Sequence, residues 1–332
     1  MLSHRERILA VIAGEKPDRP AVSFWRHFYH QEATAEGLAE AMLAYQKKFN
    51  WDLMKINPRA SYHVEDWGNR LAWSKSEFSK HQKLKFAVEK LEDWEKIKPL
   101  PPTAPVLAEH LRAISLIKKS ADKNLPLFMT VFTPLSIAGD LVPEGSLLLQ
   151  HLEQDKAKVL TAVENITVTF EKYVAELRNA GADGIFLATT EWATAEAMSY
   201  PMYEIIARPY DLRILRAAGS DALNIIHICA ANNFLKQLAD YPAQLFNWDS
   251  SHPTNPTLNT GLEILKGKAL IGGIDHTGWL RHASPEEIKN EVTRQRDRYD
   301  GKPVIFGPGC TYEPTVPEEN IRAVKEALGI DR

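Results

Sequence analysis

The stretch Asn179-Ala180-Gly181-Ala182-Asp183-Gly184-Ile185-Phe186-Leu187-Ala188 decides the fold. A long helical pattern stops at Ala180-Gly181, where glycine can take the left-handed conformation that ends a helix. An apolar run starts almost at once, at Gly184. It is hydrophobic at every position rather than every second one, the pattern of a parallel strand covered by helices on its outer face. Working outward, the same kind of run recurs at Ala21 to Trp25, Asp52 to Ile56, Leu127 to Phe132, Leu223 to Ile228, Leu245 to Trp248, Ala269 to Gly273 and Pro303 to Phe306. Helical signals lie between them. The clearest start is Ser284-Pro285-Glu286-Glu287, an N-cap with proline in the first turn and a capping-box glutamate.

Eight strand-then-helix units in 332 residues predict a single (β/α)8 TIM barrel spanning residues 1–332. The structural alternative is a doubly wound open sheet. It needs a glycine-rich nucleotide turn after the first strand, where this chain has Trp25-Arg26-His27-Phe28-Tyr29. Residues 65–90 break the alternation and are polar and charged. Arg70-Leu71-Ala72-Trp73 and Lys85-Phe86-Ala87-Val88 predict a β-hairpin inserted after the second strand, near the barrel mouth. The segment Lys98-Pro99-Leu100-Pro101-Pro102 is a rigid connector, since the βα alternation resumes after it.

Composition narrows the function classes. Apolar residues make up 44% and charged residues 25%, which excludes disordered and fibrous chains. Forty basic side chains against 43 acidic ones leave a net charge of −3, with no polybasic run, so a nucleic-acid partner has no electrostatic footing. No apolar run approaches the roughly 20 residues that cross a bilayer. Ser3 and Glu6 form a capping box on an amphipathic N-terminal helix, unlike the apolar core of a signal peptide. A cytoplasmic protein with no membrane partner is expected. Two cysteines, Cys229 and Cys310, are too few for a secreted disulfide scaffold.

A barrel carries its chemistry at the C-terminal ends of its strands. Polar residues gather there: Arg26, His27, Asn57, Thr133, Thr189, Glu191, Asp249, Asp275 and His276, beside His227, Cys229 and Cys310. Any one of them alone reads best as a loop residue satisfying backbone. The sharpest element is Asn224-Ile225-Ile226-His227-Ile228-Cys229, because side chains two apart on a strand share a side. Cys310 ends the last strand after Gly307-Pro308-Gly309, whose glycines let the backbone turn inward. One imidazole and two thiolates suit Zn2+ with a fourth position open. A core histidine with two filler thiols fits the spacing equally well, and both readings stand at this point.

The chain resembles the uroporphyrinogen decarboxylase superfamily, a barrel family, along nearly its whole length. The resemblance runs from Arg7 and Gly14-Glu15-Lys16-Pro17-Asp18-Arg19-Pro20 through Phe49-Asn50-Trp51-Asp52-Leu53-Met54-Lys55-Ile56 and Gly181-Ala182-Asp183-Gly184-Ile185 to Gly307-Pro308-Gly309-Cys310 and Pro317-Glu318-Glu319-Asn320-Ile321. Three departures set it apart from the decarboxylases themselves. Their Arg-Gln-Ala-Gly-Arg segment, which grips a polycarboxylate substrate, is replaced by a stretch with the single Arg26. Their aspartate after the second strand is Asn57 here, and a neutral amide cannot stabilise a cationic intermediate as a carboxylate does. Their histidine near the last strand is Cys310 here.

The resemblance is closer to the corrinoid-linked methyltransferase branch, whose signature is His-x-Cys with a second cysteine far downstream. That implies a zinc site formed by His227, Cys229 and Cys310, a methylcorrinoid as methyl donor or acceptor, a small thiol substrate and a corrinoid protein as partner. Zinc deprotonates a bound thiol outright and has no redox chemistry of its own, which suits methyl transfer between cobalt and sulfur. Glu191 and Asp249 are candidates for the fourth zinc position or for orienting His227. Arg26 is expected to bind an anionic tail of the acceptor, and Asn57, Thr189, Asp275 and His276 to contact substrate. A metal-free decarboxylase is the alternative, and a non-catalytic zinc- or corrinoid-binding component is the third reading.

Overall fold

A computed structural model describes residues 1–330. Its main sheet contains β1 (Ala21–Val22), β2 (Met54–Ile56), β3 (Leu127–Phe132), β4 (Gly184–Ala188), β5 (Ile225–Ile228), β6 (Leu245–Trp248), β7 (Ala269–Ile274) and β8 (Val304–Pro308). They lie in the order β1-β8-β7-β6-β5-β4-β3-β2, and every ladder is parallel. Helices follow the strands and cover the outside, so the architecture is the expected (β/α)8 barrel.

Two apolar layers follow from the period-two alternation of side chains. Trp25, Leu53, Phe128, Phe186, Ile225, Leu245, Ile271 and Ile305 pack together inside the barrel, with Ile8 and Val11 of the N-terminal helix His4–Ile12. Their strand neighbours, such as Ile185, Ile226, Phe246 and Leu270, belong to the larger layer beneath the helices. Residues in phase with the inner set therefore face the barrel axis. Lys55 follows Leu53 by two, His227 follows Ile225, and Asn247 follows Leu245.

No ladder joins β1 to β2 among the described residues, and Asp52 closes that seam. Its N–H donates to Val22 O at 2.9 Å, while its carboxylate accepts from Val22 N at 3.0 Å. The carboxylate is fully buried and also holds Arg7 at 2.7 Å, Arg19 at 2.7 Å and His4 at 3.1 Å. Removing one member of such a buried cluster costs about 3–5 kcal/mol, because the remaining charges lose their partner. This hub lies at the start of β2, away from the strand ends that carry chemistry.

Between β2 and β3 a two-stranded antiparallel ribbon pairs Arg70–Ala72 with Gln82–Lys85. The return strand falls three residues earlier than the sequence pattern predicts. Val88 is drawn into the core instead, fully buried, with its N–H on Leu141 O at 3.1 Å. Burial of its side chain outweighs local alternation.

Candidate metal centre

His227 near the end of β5, Cys229 just beyond it and Cys310 beyond β8 bring their ligand atoms within 4.8 Å of one another. The Cys310 sulfur lies 3.9 Å from the Cys229 sulfur and 3.5 Å from His227 Nε2. A tetrahedral zinc ion with ordinary bond lengths separates two thiolate sulfurs by about 3.8 Å and a sulfur from an imidazole nitrogen by about 3.6 Å. The three side chains thus stand near the corners that such an ion requires. Gly309 makes this approach possible, since a Cβ there would meet Asp249 Cα at 2.7 Å. Ala230, directly after Cys229, holds a left-handed φ of 66° that costs a non-glycine residue about 1–3 kcal/mol.

The imidazole is set for metal by a neighbour that the sequence reading passed over. The β5–β6 register places His227 opposite Asn247. Asn247 Nδ2 donates to two backbone carbonyls, Ile271 O at 2.9 Å and Pro308 O at 3.1 Å. Its Oδ1 must then be the atom 2.6 Å from His227 Nδ1. An amide oxygen only accepts, so Nδ1 carries the proton and Nε2 turns its lone pair toward the thiols. The ring also stacks on Phe186, with centroids 5.2 Å apart. The detectable signal was a lone amide within the apolar run Leu245-Phe246-Asn247-Trp248.

The two thiols share one hydrogen bond. As donor, Cys229 is held well above its ordinary range, and burial raises it further. As acceptor, Cys310 is held well below its ordinary range, against the opposing effect of its burial.

A cavity of about 250 Å³ opens beside these ligands, walled by Trp25, Phe132 and Phe186, with Lys55 and Asn57 among its polar groups. Lys55 is buried, donates to Asn57 Oδ1 and stands 4.6 Å from the Phe186 ring centre. No carboxylate pairs with it among the described residues. Burial pulls its ammonium down to about 7, while the two cysteine sulfurs favour the charged form. Asn57 Nδ2 is buried with no hydrogen-bond partner. The cavity thus holds a cation and a spare donor.

The other expected residues are distributed differently. Glu191 is exposed and lines the same cavity. Asp249 caps Ser251 N at 3.1 Å and packs on Gly309, so neither carboxylate orients His227; Asn247 does. Arg26 lies in a separate groove with Phe28 and Tyr45, paired with Glu77 of the inserted segment, and does not line the cavity. Thr189 is fully buried and gives both its N–H and its hydroxyl to His227 O, so it clasps β4 to β5 instead of contacting substrate. Asp275 is occupied by the N–H groups of Thr277 and Gly278 in a tight turn. His276 is buried, and its Nδ1 has no hydrogen-bond partner among the described residues. Lys55 and Asn57, not Arg26, line the cavity beside the cysteines.

Comparison with known proteins identifies the family and the fold. The family model described as uroporphyrinogen decarboxylase (URO-D) matches residues 3–329. A methylcobamide:CoM methyltransferase MtbA of Methanosarcina acetivorans is 23% identical over 248 residues, covering 73% of this chain and 69% of the relative. A methylcobamide:CoM methyltransferase MtaA of Methanosarcina barkeri is 24% identical over 223 residues, covering 65% and 62%. Among solved structures, a methyltransferase from Methanosarcina mazei superposes over 99% of both chains with a TM-score of 0.83 at 19% identity, a likeness of fold.

Proposed function

The chain belongs to the uroporphyrinogen decarboxylase family, and from that premise we propose that it is a zinc-dependent methyltransferase moving a methyl group between a methylcorrinoid and a small thiol. The observation that carries this reading is the donor set of His227, Cys229 and Cys310, whose imidazole tautomer is imposed by Asn247. The methyltransferase relatives support it.

His227, Cys229 and Cys310 would hold the zinc, with Glu191 at the rim proposed for the fourth position before substrate arrives. When bound, the ion keeps an acceptor thiol in its thiolate form at neutral pH without redox chemistry of its own. Two thiolates and a neutral imidazole cancel the ionic charge, so the acceptor sulfur stays electron-rich. Written toward the thiol, sulfur forms its bond to the methyl carbon as the carbon–cobalt bond breaks, and that electron pair stays on cobalt.

Cavity size divides the substrates. About 250 Å³ accommodates a small thiol but not a corrin macrocycle. The methylcorrinoid therefore approaches from the rim, which suits delivery by a corrinoid protein in the cytoplasm. Lys55 and the free Asn57 Nδ2 would receive an acidic group on the thiol, while Trp25, Phe132 and Phe186 keep water from the sulfur. A tetrapyrrole polycarboxylate needs several cations, and among the described residues Lys55 is the only lysine or arginine lining this cavity. That observation favours methyl transfer over decarboxylation. No helix among the described residues is long and apolar enough to cross a membrane.

The test combines metal analysis with two assays on chelator-free protein. About one zinc per chain and thiol-dependent loss of methylcobalamin absorbance are expected. Porphyrinogen decarboxylation without thiol-dependent demethylation would overturn the proposal in favour of the decarboxylase. Bound zinc or corrinoid with neither activity would support the non-catalytic component.

A further inference from the structure

A second constellation adjoins the metal centre. A neighbouring cavity of about 370 Å³ shares His27, Ala60, Cys310 and Thr311 with the first, so the His27 ring and the Cys310 thiol stand where the two spaces meet. Behind His27 lies Glu32, whose side chain is fully buried. His27 Nδ1 is 3.1 Å from Glu32 Oε2, and the Phe28 N–H donates to the same oxygen at 3.1 Å. The other oxygen, Oε1, faces His81 Nε2 at 3.4 Å. His81 belongs to the inserted segment, and its Nδ1 accepts from Ser74 N at 2.9 Å, so its Nε2 carries the proton.

Two hydrogen bonds reach this carboxylate, from His27 and from the Phe28 N–H, and with the His81 ring close by they hold Glu32 down at about 2 despite its burial. Neither a lysine nor an arginine pairs with it among the described residues. The arrangement dictates the tautomer of His27: Nδ1 donates to Glu32, and Nε2 keeps a lone pair with no hydrogen-bond partner. Stacking on Tyr29, with centroids 5.1 Å apart and planes 11° apart, holds the ring in this orientation. An imidazole backed by a buried carboxylate, on a residue that lines both cavities, is the arrangement of a general base.

We propose that His27 is a catalytic residue that accepts the proton of the incoming thiol, with Glu32 as its positioning residue. The inference rests on the thiol-methylation reading above. In the step, the sulfur–hydrogen bond breaks, its electron pair stays on sulfur, and the proton forms a bond with His27 Nε2. The resulting imidazolium is paired with buried Glu32, so no uncompensated charge is created. The ionisable groups that line the two cavities with His27 are Tyr29, Glu32, Lys80, His81, Lys83, Tyr312 and Glu313 on one side, Lys55, Glu191, His227 and Cys229 on the other, and Cys310 on both. Lys55 is the competing acceptor. Burial pulls its ammonium down to about 7, and its contacts with Asn57 Oδ1 and the Phe186 face oppose that loss, so the Lys55→Met arm of the test separates the two acceptors.

The experiment counts protons when a small thiol binds to the zinc-loaded protein at pH 8, by calorimetry in buffers of different ionisation enthalpy. The wild type should release close to none, and His27→Gln about one per thiol bound, since the proton then goes to solvent. In the methylcobalamin assay His27→Gln should lose about 100-fold in kcat/KM at pH 7 and regain most of it as the pH approaches the thiol's own ionisation. Glu32→Gln should show the same pH-dependent rescue with a smaller loss, and zinc content should not change in either variant. An unaltered proton count and pH profile in both would overturn the proposal and leave the functional reading standing. A count that changes in Lys55→Met but not in His27→Gln would also overturn it. Zinc-loaded wild-type protein that binds no thiol would overturn the functional reading, and this proposal with it.

Discussion

His227 Nδ1 and Asn247 Oδ1 lie 2.6 Å apart across the β5–β6 ladder, and this contact decides what the metal centre can bind. The amide is locked from behind by the carbonyls of Ile271 on β7 and Pro308 on β8. One side chain therefore ties together the strand that carries His227 and the strand that leads to Cys310. It acts on the tautomer of the histidine and on the position of the second thiol.

Asn247→Leu keeps the side-chain volume but removes both functions. Zinc affinity should fall about 10–100-fold, the usual effect of losing the partner that orients a ligand histidine. Two carbonyls also lose a donor, which should cost about 1–3 kcal/mol of stability. Chelator competition and urea unfolding check the two effects separately. Unchanged zinc affinity would refute the assigned tautomer.

His227→Ala should abolish zinc binding while the barrel stays folded, because the inner apolar layer and the Asp52 hub are independent of the mouth. Far-ultraviolet circular dichroism and metal analysis report both properties. Full zinc occupancy in a chelator competition would remove His227 from the ligand set. An unfolded variant would make the metal structural.

Lys55→Met should raise KM for an anionic thiol by about tenfold or more and leave a neutral thiol nearly unaffected, the loss expected for one charge-assisted hydrogen bond. Arg26→Ala should produce no such selectivity, since Arg26 is committed to Glu77 in another groove. Its effect should appear as faster proteolysis of the inserted segment. The reverse outcome, with selectivity lost in Arg26→Ala alone, would restore the arginine as the anion site.

Asp211 predicts a pH dependence of stability unrelated to the metal. It is buried beneath the hydroxyls of Tyr203 and Tyr241, and burial pushes its carboxyl up to about 7. A raised value means that the folded state binds the proton more tightly than the unfolded chain. The contribution is fully present below the unfolded value near 4 and is lost as pH rises through about 7. Asp211→Asn should therefore flatten the fall in Tm between pH 5 and pH 8. Parallel Tm curves for the two proteins would show that Asp211 is ionised throughout.

The sequence by itself determined the barrel and singled out His227, Cys229 and Cys310 as candidate ligands. The barrel is legible because each strand is an unbroken apolar run and each helix has local start and stop signals, such as the capping boxes at Ser3 and Ser284 that the structure contains. The His-x-Cys pair is legible because period two puts both side chains on one side without reference to any other strand. Only the tertiary structure decided the rest. Cys229 and Cys310 are 81 positions apart, and barrel closure sets their sulfurs 3.9 Å from each other. Asn247 gained its role from ladder register, and Lys55 from facing inward two residues after Leu53. Arg26 was displaced because its guanidinium found Glu77 on the inserted segment. Glu32 joined His27 to His81 for a similar reason, through a packing contact with that segment. Hydrophobic periodicity is a property of neighbouring residues and survives in the chain. The partner of a charged or amide group is chosen among side chains distant in sequence, and burial enforces that choice because an unpaired polar group away from water is costly.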